Sequence, residues 1–121
     1  MAEDENVAKG GAKDKDPLES VKGLPKTLKI LGKRFRIHLL ADDEDVEADG
    51  RMYINKQMIA IRPQEALEQV QDTSLHESLH AISDSLSLGL KESQVHQLAA
   101  AVLALLKDNK AYSQWLMKDD D

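Results

Sequence analysis

The chain has 121 residues, a formal net charge of −6 and only 3% aromatic residues, so it can bury one modest core built mainly from aliphatic side chains. It has no cysteine, which excludes disulfides, thiolate metal sites and a cysteine nucleophile and leaves histidine and carboxylate as metal ligands. No apolar run approaches the roughly 20 residues of a membrane span, and the charge argues against general nucleic-acid binding; we therefore expect a soluble, cytoplasmic protein.

The beginning of the chain is polar, and strand-like alternation follows it. Residues 1–20 carry glycine, proline and mixed charges with hardly any large apolar side chain, which predicts a disordered tail before a single domain over residues 21–121. From residue 27, apolar and basic side chains alternate around a turn at Gly32 and Lys33, which predicts a β-hairpin. Three residues are expected on the core side of its second strand: Phe35, Ile37 and Leu39.

This hairpin is strongly basic, because six lysines and arginines occur without an acidic residue between Val21 and Ala41. Such a strip could bind phosphates in a salt-sensitive way. We prefer the alternative that this is an edge hairpin whose charges prevent aggregation. Nucleic-acid binding is less favoured, since the chain has few aromatic residues on which bases could stack. The six residues are Lys22, Lys26, Lys29, Lys33, Arg34 and Arg36.

An acidic stretch and a second hairpin come next. The segment from Asp42 to Gly50 lacks the spaced ligands and terminal glutamate of an EF-hand, so we expect a solvated loop. A hairpin is then expected over residues 51–61, with its turn at Asn55 and Lys56, because asparagine tolerates the positive φ of a primed turn. Together the two hairpins predict a sheet of three or four short antiparallel strands.

Two helices are expected after this sheet. Pro63 suits the first turn of a helix, and apolar residues continue at helical spacing to Leu88, although a break near Asp72 stays open. Gly89 is a natural stop, and a last long helix is expected over residues 91–107. The fold class is therefore α+β, with a small antiparallel sheet packed on the first helix and a second long helix.

The first helix contains an intact H-E-x-x-H string, His76-Glu77-Ser78-Leu79-His80. Two imidazoles four residues apart lie one above the other on a helical face, so both can reach one metal ion while Glu77 flanks it. In the alternative interpretation, Ser74 and Glu77 form a helix-starting capping box, in which the glutamate only bonds a backbone N–H. With four histidines in the chain a chance match is rare, so we prefer the metal site.

A catalytic zinc ion needs a third protein ligand and an open position for water. Glu92 is the first candidate, because it begins the last helix near the edge of its apolar face, where pairing of the helices could aim its carboxylate at the histidines. His96, one turn further along, is the alternative third ligand, and His38 is expected on the surface. Asp72 and Asp84 lie four residues before His76 and four residues after His80, on the same face of the helix. They are expected either to orient the imidazoles by hydrogen bonds or to be exposed helix charges.

Such a site predicts hydrolysis of a peptide bond with one Zn²⁺ per chain. Zinc would activate a water molecule and polarise a carbonyl oxygen, while Glu77 acts as the general base and passes the proton to the leaving amine. Three residues are candidates for stabilising the oxyanion: His96, Tyr112 and Arg51. A second hypothesis keeps the ion as a structural staple in a catalytically silent regulatory module that binds proteins.

Over residues 27–109 the chain resembles small phage and prophage zinc-peptidase-like proteins related to the ImmA/IrrE-type metallopeptidases. The resemblance rests on a hairpin, the acidic loop ending in Gly50, the string LHESLHAI, and GLKESQVHQLA before a leucine-rich helix. In that family a glutamate that heads an E-x-x-A/V-x-x-x-A segment completes the zinc site, which implies Glu92 rather than His96. The resemblance also implies a minimal gluzincin-like fold, a phage origin, the host cytoplasm, and an intracellular, regulatory protein as substrate.

Overall fold

A computed structural model describes residues 16–44 and 46–120, where four short strands form one sheet and three α-helices follow. The predicted α+β class is confirmed. The strands are β1 (Thr27–Ile30), β2 (Lys33–Leu39), β3 (Gly50–Tyr53) and β4 (Met58–Ile61). The helices are α1 (Leu67–Leu86), α2 (Glu92–Asp108) and α3 (Lys110–Leu116), and a 3-10 helix, Pro17–Val21, precedes the sheet.

Most of the predicted tail, residues 1–20, lies outside the described residues. Its last part belongs instead to the 3-10 helix, where the Leu18 N–H donates to the Asp16 carboxylate at 3.0 Å and Ser20 is buried. This short helix packs against α1. The folded domain therefore begins before residue 21, and the prediction of a disordered tail is wrong for residues 17–20.

The sheet is mixed, with the strand order β1-β2-β4-β3. Both predicted hairpins are present as antiparallel pairs, but β2 runs parallel to β4, so the expectation of a wholly antiparallel sheet is wrong. The acidic loop leads from β2 to β3 at the far edge of the sheet. Strand β4 then returns and lies between β2 and β3. Ile59, Ala60 and Ile61 of β4 are all buried, which suits a central strand, whereas β3 lies at an edge.

Both turns differ from the predicted ones by one or two residues. The first places Leu31 and Gly32 at φ 50° and 84°, as a two-residue primed turn requires, so it lies one residue earlier than expected. The second spans residues 54–57, and its positive φ of 47° falls on Gln57 rather than on Asn55.

The core lies between the sheet and α1. Phe35 and Ile61 from the sheet meet Val70 from α1 there, all with at most 2% exposure. Leu39, expected in this core, is 40% exposed, and its neighbour Leu40 is buried instead. Within the described residues α2 contacts α1 but not the sheet, so α1 is the middle layer.

Helix α1 is continuous, with no break near Asp72. It begins after Ala66, so Pro63 lies before it rather than in its first turn. Ser74 is internal, and its hydroxyl donates to the Gln71 carbonyl at 2.8 Å, so the capping-box alternative for Glu77 is wrong. In the described part of the chain, no helix has both the length and the apolarity needed to cross a membrane.

The acidic loop is held in place by Arg62, which the sequence did not indicate. The Arg62 guanidinium donates to the carbonyls of Ala41 at 3.2 Å and Val46 at 2.8 Å. Within the loop, the Ala41 N–H and His38 hydrogen-bond the Glu44 carboxylate, which together hold the pKa of Glu44 below its usual value. His38, whose side chain is 41% exposed, therefore contacts this loop from β2, consistent with the surface role expected for it.

Candidate metal centre

The two histidines of the H-E-x-x-H string face the beginning of α2. One helical turn separates His76 from His80, and their ring centroids lie 4.9 Å apart. Their side chains are 12% and 25% exposed, so each ring is largely fixed by its surroundings but keeps one side open. The pair thus presents two nitrogens toward the same small volume.

Glu92 occupies that volume. The Nε2 atoms of His76 and His80 lie 2.7 Å and 2.8 Å from its two carboxylate oxygens, one imidazole to each oxygen. Ligand atoms of these three residues all lie within 4.8 Å of one another. His96 is not part of this group, and its ring centroid lies 6.1 Å from that of His76. The structure therefore brings Glu92, rather than His96, onto both histidines.

The connection between the two helices fixes where Glu92 lies. Buried Ser83 accepts the Leu88 N–H on its carbonyl at 2.9 Å and the Leu90 N–H on its hydroxyl at 3.0 Å. The side chain of Gln94 then accepts the Lys91 N–H at 2.8 Å, which caps the start of α2. Sequence reasoning missed Ser83, because a serine in the last turn of a helix is not a specific signal.

Glu77 lies beside the histidines on the side of α1 next to β3, with its Cγ 3.2 Å from where a Cβ on Gly50 would be. It is 8% exposed, it lines a cavity, and it makes no hydrogen bond with any described residue. Burial raises the pKa of Glu77 above its ordinary value, and the charge of Glu92 acts in the same direction. The two histidines and Arg51 offset this only partly. The result is a carboxylate held in a poorly solvated position beside the candidate ligands.

The cavity has a volume of about 670 Å³ and is lined mainly by residues of α1, β3 and the beginning of α2. Arg51 and His96, two of the groups considered for the oxyanion, line it. Tyr112 is not brought to the cavity but stacks on Trp115 in α3, with ring centroids 6.2 Å apart, so that suggestion is wrong.

Asp72 and Asp84 also line the cavity. Among the described residues, neither makes a hydrogen bond to His76 or His80. The structure therefore places both aspartates beside the site without showing that they orient the imidazoles.

Gly50 allows β3 to approach α1 next to Glu77. A Cβ atom at this position would lie 2.6 Å from Thr73 Cγ2, 3.1 Å from the Ala60 carbonyl oxygen and 3.2 Å from Glu77 Cγ. Real side chains do not tolerate such distances, so only glycine permits this packing. The sequence indicated only that a glycine ends the acidic loop.

We expect Gly50→Ala to lower the free energy of unfolding by about 1–3 kcal/mol, the usual cost of an overpacked contact. Urea denaturation followed by circular dichroism measures this change. Thr73→Ser removes the nearest atom, so the double variant should recover part of the loss. An unchanged denaturation midpoint in Gly50→Ala would show that the close approach is not required.

The donor set fits a zinc ion. Two imidazole nitrogens and one carboxylate are a known ligand combination of catalytic zinc, whose bonds of about 2.0–2.2 Å keep tetrahedral ligands roughly 3.3–3.6 Å apart. The present N–O distances of 2.7 Å and 2.8 Å, each to a different oxygen of Glu92, are shorter by roughly 0.5–0.9 Å, so Glu92, which is 71% exposed, has to shift outward to admit an ion. Slight burial acts to raise the pKa of Glu92, but the hydrogen bond from His80 and the imidazole charges lower it overall.

Comparison of the chain with protein-family models, curated proteins and solved structures gave no match. The resemblance to ImmA/IrrE-type metallopeptidases therefore rests on the quoted motifs alone and stays a prediction. The chemistry has to be inferred from the arrangement of the side chains around the cavity.

Proposed function

We propose that the protein is a zinc-dependent peptidase that hydrolyses a peptide bond in another protein. The observation that carries this proposal is the convergence of His76 and His80 on the Glu92 carboxylate, beside the buried Glu77 and at the wall of an open cavity. A metal-assisted hydrolase needs metal ligands, a general base and space for a substrate, and these residues and this cavity would supply all three.

Each side chain has a distinct role in the proposed reaction. His76, His80 and Glu92 would hold the ion, which would supply a Lewis acid for the carbonyl and for the attacking water. Glu77 accepts the proton of that water and donates it to the amine that leaves. Its burial favours this role, because desolvation raises the pKa of the carboxyl group and so makes it a stronger base.

A polypeptide substrate is supported by the position of β3. This strand forms an edge of the sheet and pairs only with β4 among the described strands. Gly50, Arg51 and Met52 of this strand line the cavity. An extended peptide could add to the open edge through main-chain hydrogen bonds and so pass beside Glu77.

A second candidate function is a catalytically silent regulatory module in which zinc is a structural staple. It is favoured by the packing of α2, which rests on α1 but not on the sheet within the described residues. An ion shared by α1 and Glu92 would fasten the two helices together, and small domains gain stability from such ligation.

The test is proteolysis by the zinc-loaded protein. We would incubate it with a complex mixture of peptides and identify newly formed amino termini by mass spectrometry. A peptidase produces termini that a chelator abolishes and added zinc restores. Zinc binding that stabilises the fold without producing any new terminus would contradict the peptidase and favour the staple.

A further inference from the structure

The cavity beside the candidate metal centre is strongly acidic. Five carboxylates line it, whereas Arg51 is its only lysine or arginine among the described residues. The five belong to Asp49, Asp72, Glu77, Asp84 and Glu92. Without counting Glu77 and Glu92, three aspartates still face the single guanidinium of Arg51.

We propose that this cavity selects polypeptides that carry basic side chains on both sides of the bound peptide bond. The proposal rests on the proposed function for its location, since it concerns the same cavity. It goes further in naming the chemical class of the substrate.

The positions of Asp72 and Asp84 support selection on both sides. Asp72 lies four residues before His76, and Asp84 lies four residues after His80, so the two aspartates flank the histidine pair along α1. Twelve residues of helix correspond to roughly 18 Å of axis. An extended peptide spans that length with about five or six residues. Lysine or arginine side chains on either side of a central bond can therefore reach the two carboxylates.

Neither aspartate forms a salt bridge with a lysine or arginine among the described residues. Asp84 is exposed and Asp72 half-buried, so both can meet a ligand from solvent. An exposed carboxylate attracts a cationic ligand and repels an anionic one.

The burial of Glu77 strengthens the case for a cationic ligand. Its residue is more than nine-tenths buried, it lines the cavity, and its carboxylate has no hydrogen-bond partner among the described residues. A poorly solvated carboxylate of this kind makes the approach of an anionic side chain costly. The acidic lining therefore includes a buried carboxyl group as well as half-buried and exposed ones.

The test uses three fluorescent peptides that share one central sequence and differ only in flanking lysine, glutamine or glutamate. Fluorescence anisotropy would measure their binding to the full-length, zinc-loaded Glu77→Gln protein, which should retain the ion and not consume the peptides. We expect the lysine peptide to bind about tenfold more tightly than the glutamine peptide and the glutamate peptide to bind most weakly. The preference should decrease at high salt.

Single substitutions locate the selection. Asp72→Asn and Asp84→Asn should each weaken lysine-peptide binding by about two- to fivefold, as expected for one partly exposed charge pair. Asp43→Asn makes the same charge change in the acidic loop, outside the cavity lining, and should leave binding unchanged. Equal binding of the three peptides, or an equal loss in Asp43→Asn, would overturn the proposal.

Cleavage assays with the same peptides and the native, zinc-loaded protein separate the two proposals. Lysine-dependent binding without any cleavage would reject the peptidase and keep the charge selection. Cleavage of all three peptides at similar rates would keep the peptidase and reject the charge selection.

Discussion

Glu92→Ala is expected to lower the affinity for zinc by at least about 100-fold, whereas His96→Ala should leave it within about threefold. Even residues that only orient metal ligands contribute about 10- to 100-fold to affinity, so the loss of a ligand must cost at least as much. Glu92 contacts both imidazoles, at 2.7 Å and 2.8 Å, and His96 is not part of the group of ligand atoms that lie within 4.8 Å of one another. Competition with a chromophoric chelator measures both affinities.

The two substitutions control for each other, because both truncate an exposed side chain of α2 that lines the cavity. Circular dichroism would establish that each variant is folded before its zinc affinity is interpreted. If His96→Ala lost the ion and Glu92→Ala kept it, the ligand assignment would be reversed. If neither substitution changed the affinity, zinc would be bound elsewhere.

Glu77→Gln is expected to reduce kcat/KM by about 100- to 10,000-fold, the range over which a positioned general base contributes to catalysis. The amide keeps the shape of the side chain but cannot accept the water proton. Zinc affinity should remain close to that of the native protein, because His76, His80 and Glu92 are unchanged. Hydrolysis of a peptide identified by mass spectrometry gives the rate, and the chelator competition gives the affinity.

Glu68→Gln is the matched control, since it makes the same change on α1 outside the lining of the cavity. It should hydrolyse the peptide at the native rate. A Glu77→Gln protein that binds zinc normally and also cleaves normally would remove Glu77 from the mechanism. Loss of zinc in this variant would instead indicate that the buried carboxylate supports the metal centre.

Local patterns predicted most of the elements and the central motif. Alternation of Arg34, Phe35 and Arg36 indicated a strand with one buried side, and Phe35 is indeed fully buried. The H-E-x-x-H spacing placed His76 and His80 on one helical face, as observed. These signals succeed because side-chain direction within one strand or helix follows directly from its periodicity.

Features that depend on distant parts of the chain were missed. The alternation within each hairpin does not determine which strand lies in the centre, so the parallel pairing of β2 with β4 was not foreseen. The close approach at Gly50 requires knowing that Thr73 lies opposite, 23 residues further along the chain. Ser83 likewise has its role only because the chain turns back after α1.

The convergence of Glu92 on the histidines was anticipated but only as one of two possibilities. Helical spacing placed Glu92 near the edge of the apolar face of α2 and His96 farther to the side, without excluding His96. The choice between them depends on the turn between the helices, where Ser87 adopts φ 54° and Gly89 adopts φ 65°. Residues in the left-handed conformation change the direction in which the next helix leaves the turn, and the spacing of apolar residues does not determine that direction.

The most direct test of the metal centre is anomalous X-ray diffraction at the zinc absorption edge, from crystals of the zinc-loaded protein. We expect one anomalous peak per chain, about 2.0–2.2 Å from Nε2 of His76, Nε2 of His80 and a carboxylate oxygen of Glu92. A peak bound by His96 in place of Glu92, or no peak between α1 and α2, would contradict it.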